Sequence, residues 1–337
     1  MTLYVSLDDI WFNNNKLLDL TSEFVQKGGK FLFLDEVHKY EGWKQELKNI
    51  YDLYPFLNIV FTGSSLLEII DSGADLSRRA VIYNLQGFSF REYLSVETGK
   101  TFEKLSLNQI LKNHLAESAL INKQVKPFQY FESYLKQGYY PYYQEQQDLY
   151  ELRVGQVINM IMEIELPLLR NIEIGYVNKL KQLLMIIAES VPFMPNVSKL
   201  SERIGINRAT LLSYLFYLEE IELTRNLFRN AKGISKLQKP AKIYLNNTNL
   251  IFVLANQNAN PANRRETFFA NQVGYAHNLL YTEQGDFLIN EEITIEIGEK
   301  NKTNKQIKDK KETYIAADNI EYGFGDKIPL WLFGFLY

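Results

Sequence analysis

The sequence predicts an α/β protein at the front, followed by helical and mixed α/β parts, and three observations predict it. Phe31-Leu32-Phe33-Leu34 is an apolar run that stops at Asp35-Glu36. Asn58-Ile59-Val60-Phe61 is a second such run, and it stops at Thr62-Gly63-Ser64-Ser65. Stretches of helical periodicity, 12–28 and 43–53, alternate with the strands. Strand, helix, strand, helix, strand is the alternation of a parallel sheet with crossover helices. A short run of apolar residues in such a sheet is expected to be buried on both faces.

Leu3 to Leu7 reads as the first strand. Leu17, Leu18, Leu20, Phe24 and Val25 give the first helix its apolar face, and Gly28-Gly29 ends it. Trp43 to Leu53 is an amphipathic helix. In open α/β sheets, ligands bind beyond the carboxyl ends of the strands. Asp35 there is a candidate Mg²⁺ ligand, and Glu36 a candidate for orienting an attacking water, which is a Walker-B pattern. The plain alternative is a buried strand ending in a solvated acidic turn. Thr62, Ser64 and Ser65 close the neighbouring strand, so a hydroxyl is expected beside the acidic pair; a Gly-Ser turn is the alternative there. Arg78-Arg79 follows, and guanidinium groups suit phosphoryl oxygens, also across a subunit boundary, which makes a homo-oligomer one expectation.

Composition narrows the classes. With 337 residues the chain suggests two or three domains, and 46% hydrophobic against 23% charged residues is enough to build sizeable cores. A net charge of -3 gives no global basic field, so nucleic acid would need a local patch. The absence of cysteine excludes disulfides, thiolate zinc sites and a cysteine nucleophile, and fits a reducing cytoplasm. His38, His114 and His277 have no metal-ligand spacing. No apolar run is long enough to span a bilayer, and Met1 to Asp9 has no signal-peptide pattern.

The stretch Phe31–Tyr40, then WKQELKNIYDLYP, NIVFTGSS and LSRRAVIYNLQGFSFREYL, resembles the bacterial and archaeal AAA-type ATPases that carry a C-terminal domain of unknown function. The resemblance runs to the end of the chain. It implies a partial AAA-type P-loop NTPase core with Mg²⁺ and ATP as cofactors. Asp35 is then the metal ligand, Glu36 the activator of water, Thr62 or Ser64 the sensor, and Arg78 or Arg79 a candidate finger. One departure stands out. The family has a glycine-rich P-loop ahead of the strand matching Leu3–Leu7, and no G-x-x-x-x-G-K-[ST] occurs here. The chain is therefore expected to be truncated or degenerate at the P-loop and to lack ATP hydrolysis by itself.

From 101 to 175 the pattern is helical and aromatic, a lid or linker, with Gly138-Tyr139-Tyr140-Pro141 read as packing. Residues 176–245 read as a winged helix. Asn196 to Thr210 has helix-turn-helix spacing with Gly205 in the turn, and Ser198 and Asn207 are expected to cap the two helices. Two strand-like pieces, 221–228 and 242–245, follow. Arg208, Arg225, Arg229, Lys232, Lys236, Lys239 and Lys242 are candidate phosphate contacts, which would make DNA a partner. The second helix favours an interaction module instead, since Arg208 is its only basic residue and it ends in Glu219-Glu220.

The last part, 246–337, has Glu266 on a helix and Asp286 and Glu296 on strands. These acids are candidates to converge on one metal, and the segment resembles the restriction-endonuclease-like PD-(D/E)xK core found at this place in the same family. That chemistry needs a lysine two residues after the last acid. Gly298 stands there, with Lys300 or Lys302 later, so a degenerate core is expected. The run Lys300, Lys302, Lys305, Lys308, Lys310, Lys311 is either a nucleic-acid contact or a solvated face. Leu330–Tyr337 is too apolar for a free tail and should pack as a final strand or docked segment. The expected domains are 1–100, 101–175, 176–245 and 246–337. An AAA-type ATP-binding protein is the leading function, with a DNA-binding regulator and a metal-dependent nuclease as alternatives.

Overall fold

The computed structural model describes residues 1–63, 76, 79–190, 192–230, 239–255, 260–302 and 312–337. The chain divides into two compact units, Met1–Leu85 with Leu168–Asn171, and Gln86–Pro167 with Ile172–Tyr337.

The first unit is built on three parallel strands, β1 (Thr2–Ser6), β2 (Phe31–Asp35) and β3 (Asn58–Phe61), in that spatial order. Helix α1 (Leu17–Gln26) joins β1 to β2, and α2 (Trp43–Leu53) joins β2 to β3. Both crossovers turn the same way, as parallel connections do, so both helices cover one face of the sheet. That face buries Leu32, Leu34, Leu17, Phe24, Trp43, Leu47 and Ile50. Glu46 of α2 accepts from Leu18 N at 2.9 Å and from the Tyr40 hydroxyl at 2.9 Å, which satisfies the start of α1 in place of a capping side chain.

The expectation that β2 is buried on both faces does not hold within this unit. Its residues alternate, with Leu32 and Leu34 inside and Phe31 and Phe33 outside, at 47% and 37% exposure. Tyr4 and Val60 lie exposed beside Phe33, with which both are in register. The reason is the handedness just described: no described element of this unit covers the second face. Among the described residues, β3 forms one edge of the sheet. Val81, Tyr83 and Leu85, strand formers by composition, are exposed and belong to no strand.

The second unit begins with α3 (Phe90–Thr98), whose start is fixed by a capping box between Ser89 and Glu92. Helices α4 (Leu107–Gln124), α5 (Phe128–Gln137) and α6 (Tyr150–Met160) follow, α6 running on into a π-helical segment Ile161–Glu165 and a short α7 (Leu166–Arg170), whose last three residues count with the first unit. Then come α8 (Ile174–Glu189), α9 (Val197–Ile204) and α10 (Arg208–Glu220). Gly205 (φ 71°) makes the turn between α9 and α10, a left-handed conformation that suits glycine. Asn207 caps α10 as expected, but Asn196, not Ser198, caps α9: its side chain accepts from Lys199 N, and Ser198 is already inside the helix. An antiparallel ribbon follows, β4 (Thr224–Leu227) with β5 (Lys242–Leu245), and Phe193 bridges to Ile243 on the other side of β5.

After α11 (Thr248–Leu254) and α12 (Pro261–Ala276) comes a five-stranded mixed sheet ordered β10-β9-β8-β7-β6. Its strands are β6 (Leu279–Leu280), β7 (Phe287–Ile289), β8 (Ile293–Glu299), β9 (Thr313–Asp318) and β10 (Lys327–Pro329). Strands β6, β7 and β8 are antiparallel neighbours, while β8, β9 and β10 run parallel. The terminal Leu330–Phe335 is a buried 3₁₀ segment, and Arg91 Nε donates to the Tyr337 carbonyl at 2.8 Å. The docked end expected from its composition is thus present. The expected boundaries at 175/176 and 245/246 fall inside this second unit. No helix among the described residues is long and apolar enough to cross a membrane.

Candidate functional site

Asp35 is the last residue of β2, the middle strand of the first unit, and Thr62 directly follows β3. Two-residue alternation turns Asp35 to the open face of the sheet, the face of Phe31 and Phe33. The Thr62 hydroxyl donates to Asp35 Oδ1, and the Tyr4 hydroxyl reaches Asp35 Oδ2 at 2.5 Å from the other neighbouring strand. The Glu36 amide adds a bond to Oδ1 at 3.1 Å. Thr62 first, then Tyr4, hold the Asp35 carboxyl below the ordinary carboxylate range. Asp35 is therefore an oriented anion at the carboxyl end of the sheet. The Tyr4 contact carried no signal in the sequence, because it depends on the register Tyr4↔Phe33.

Glu36 has a left-handed backbone (φ 51°), an uncommon conformation for a residue with a side chain. Its carboxylate lies 3.5 Å from Nδ1 of His38, a side chain only 7% exposed. Asp35 and Glu36 thus face different partners. Ser64 and Arg78 lie outside the described residues. Arg79, the other candidate finger, is engaged in its own unit: Nε and a terminal nitrogen meet the two Asp52 oxygens at 3.1 and 3.0 Å. A bidentate carboxylate partner leaves that fork little to offer a phosphate.

In the second unit three of the candidate phosphate contacts are engaged by the fold. Arg225 donates to the Gly274 carbonyl at 3.2 Å. Arg229 pairs with Glu283 at 2.7 Å and stacks on Tyr281. Lys242 is 13% exposed and turned to Glu266 and Asp286. The ribbon's own sequence lacks acids, but the fold brings them from elsewhere. Arg208 and Lys239 are exposed. Lys232 and Lys236, like Lys305, Lys308, Lys310 and Lys311, lie outside the described residues.

The three acids of the last part do not share one partner. Glu266 and Asp286 share Lys242, at 3.5 and 3.6 Å, whereas Glu296 is held by Lys302 at 2.6 Å. Burial, and then Asp286, push the Glu266 carboxyl up. Among the described residues no group of three His, Cys, Asp or Glu is placed to hold a metal. Lys300 does not reach Glu296; its carbonyl accepts from Lys327 Nζ at 2.8 Å. Lys302 does so because Gly298 has no side chain: a Cβ there would stand 2.2 Å from Lys302 Cδ.

Tyr139, Tyr143 and Tyr150 are buried, as the packing reading of the aromatic stretch expects. What the sequence did not reveal is their polar centre, Asn249, which is fully buried. Its Oδ1 accepts from Tyr139 N at 2.9 Å and from the Tyr150 hydroxyl, and its Nδ2 donates to the Tyr134 and Leu135 carbonyls at 3.1 and 2.8 Å.

The first unit is thus a parallel α/β sheet that gathers Asp35 and Thr62 at adjacent strand ends. In keeping with this, residues 1–94 match the AAA domain family. Residues 128–260 match a domain of unknown function (DUF8612). An uncharacterized protein of Methanocaldococcus jannaschii is 26% identical over 253 residues, 72% of this chain and 53% of the relative. The chain thus spans about half the length of the curated relative it matches. No solved structure matches it. The comparisons thus place the likeness to an AAA domain in residues 1–94.

Proposed function

We propose that the first unit is the metal-and-water half of an AAA-type nucleotide site. The observation that carries this reading is the Thr62–Asp35 hydrogen bond at the carboxyl ends of neighbouring parallel strands. Asp35 is the residue that would hold Mg²⁺, for which an all-oxygen donor set is suited. Thr62 is the sensor of the terminal phosphate, and Glu36 the residue that activates water. Bound Mg²⁺ would neutralise phosphate charge as the β–γ bond breaks.

The phosphates themselves lack a cradle. A P-loop supplies backbone N–H groups, a helix N-terminus and a lysine. The sequence contains no G-x-x-x-x-G-K-[ST]. The 337-residue chain by itself is therefore an ATP-binding-family protein that does not turn over ATP. Among the described residues no strand pairs with the outer side of β3, and this edge with the exposed Tyr4, Phe31, Phe33 and Val60 supports the view that a further strand and helix complete this core. Calorimetric titration with Mg·ATP tests the reading. Expected is no saturable binding at micromolar concentrations; micromolar affinity would show that this chain holds a phosphate cradle of its own.

A second reading concerns residues 176–245. Three helices, a single bridge at Phe193 and an antiparallel ribbon follow one another in winged-helix order, with Arg208 exposed on the first turn of α10. This favours a DNA contact through α10 as an additional or regulatory role. Gel shifts over a salt series test it, and a log–log slope of zero rules it out.

A further inference from the structure

The nuclease-like resemblance implies a divalent cation among Glu266, Asp286 and Glu296. The side chains present do not fit one. The Lys242 ammonium already lies between Glu266 Oε2 and Asp286 Oδ1, at 3.5 and 3.6 Å. Two further donors reach the pair. The Tyr244 hydroxyl donates to Glu266 Oε2 at 2.6 Å, and Ile297 N donates to Asp286 Oδ2 at 2.8 Å. Glu296 is withdrawn to Lys302, whose ammonium also donates to the Ile297 carbonyl at 2.9 Å. A divalent ion placed between Glu266 and Asp286 would sit against a buried ammonium, and like charges at that distance repel strongly where water is excluded.

We propose that Lys242 is the resident cation of the Glu266–Asp286 pair. The chain's own ammonium stands where a metal would stand, so this site neither takes a divalent ion nor cuts nucleic acid. The same contact fastens the ribbon to helix α12 and to the start of β7, because Lys242 is on β5, Glu266 on α12 and Asp286 directly before β7. Lys242 is by the same token not a phosphate contact. The inference is independent of the nucleotide reading of the first unit.

The geometry makes a distinctive demand. If the ammonium substitutes for a metal, its removal leaves two close carboxylates without a counter-ion, and a divalent ion should restore the balance. The experiment compares the full chain with Lys242→Ala and Lys242→Arg, by electron paramagnetic resonance of free Mn²⁺ and by thermal denaturation. The wild type and Lys242→Arg are expected to bind no stoichiometric Mn²⁺ up to about 1 mM, with melting unchanged by the ion. Lys242→Ala is expected to melt roughly 5–10 °C lower, to bind one Mn²⁺, and to recover part of the loss when it does. Adding Asp286→Asn to Lys242→Ala should abolish both the binding and the recovery. Mn²⁺ binding by the wild type that disappears in Asp286→Asn would overturn the proposal. So would a folded Lys242→Ala that gains no Mn²⁺. Should Lys242→Ala not fold, refolding it with and without Mn²⁺ decides: rescue supports the proposal and failure refutes it.

Discussion

The Thr62 hydroxyl donates to the Asp35 carboxylate across the β2–β3 ladder, and this bond is the largest influence on the acidity of Asp35. The second is the Tyr4 hydroxyl, from β1. Because the folded pKa lies below the unfolded one, the carboxylate adds stability that is present above the ordinary carboxyl pKa and is lost as pH falls through the lowered folded value. Carbon-detected NMR titration of the Asp35 carboxyl should therefore give a midpoint below the ordinary aspartate value of 3.8. Thr62→Val should raise it, and Tyr4→Phe should raise it by less. A midpoint unmoved by Thr62→Val would remove the bond on which the nucleotide reading rests.

Asn249 joins α11 to α5 and α6 through bonds from both ends of its amide. Asn249→Ala would take from the buried Tyr139 amide and the Leu135 carbonyl the bonds that Asn249 makes to them, and from Tyr150 one of its hydroxyl's bonds. The expected cost is about 3–5 kcal/mol. Urea unfolding of the second unit is the measurement, and a loss under about 1 kcal/mol would mean that water replaces the amide.

Gly334 lies against Phe90 so closely that a Cβ would come within 2.5 Å of the Phe90 Cβ. Both residues belong to the buried interface between α3 and the terminal 3₁₀ segment, where neither backbone can retreat. Gly334→Ala should destabilise by about 1–3 kcal/mol. The same denaturation experiment checks it, and an unchanged midpoint would mean that the terminal segment is not seated as described.

The winged-helix reading divides the basic residues into two groups. Arg225 and Arg229 are held by Gly274 and Glu283, whereas Arg208 is exposed at the start of α10. In gel shifts at fixed salt, Arg208→Ala is expected to weaken DNA retention, while Arg225→Ala and Arg229→Ala leave it within about twofold. The reverse order would place the contact on the ribbon instead.

The sequence by itself determined the local elements of the first unit. Asn58–Phe61 and Trp43–Leu53 are the strand and helix that their apolar spacing indicates, because burial of one face sets the period of each. It also determined that Asp35 and Thr62 stand at strand ends, since polar residues stop both apolar runs. Helix α10 was legible with its cap, a short-range feature; the cap of α9 was missed by two residues because two polar side chains compete at its start. Only the tertiary structure decided which charges meet. Lys242 is 24 residues from Glu266 and 44 from Asp286 in the chain, and Arg79 is 27 from Asp52. No periodicity reports such distances, because pairing over them depends on how helices and strands pack, not on local spacing. The basic stripe and the three-acid cluster are both visible in one dimension, yet in three Arg229 pairs with Glu283, Lys242 with Glu266 and Asp286, and Glu296 with Lys302. The open face of β2 has the same origin: composition makes a strand apolar on both sides, and only the hand of the crossovers decides which side the helices cover.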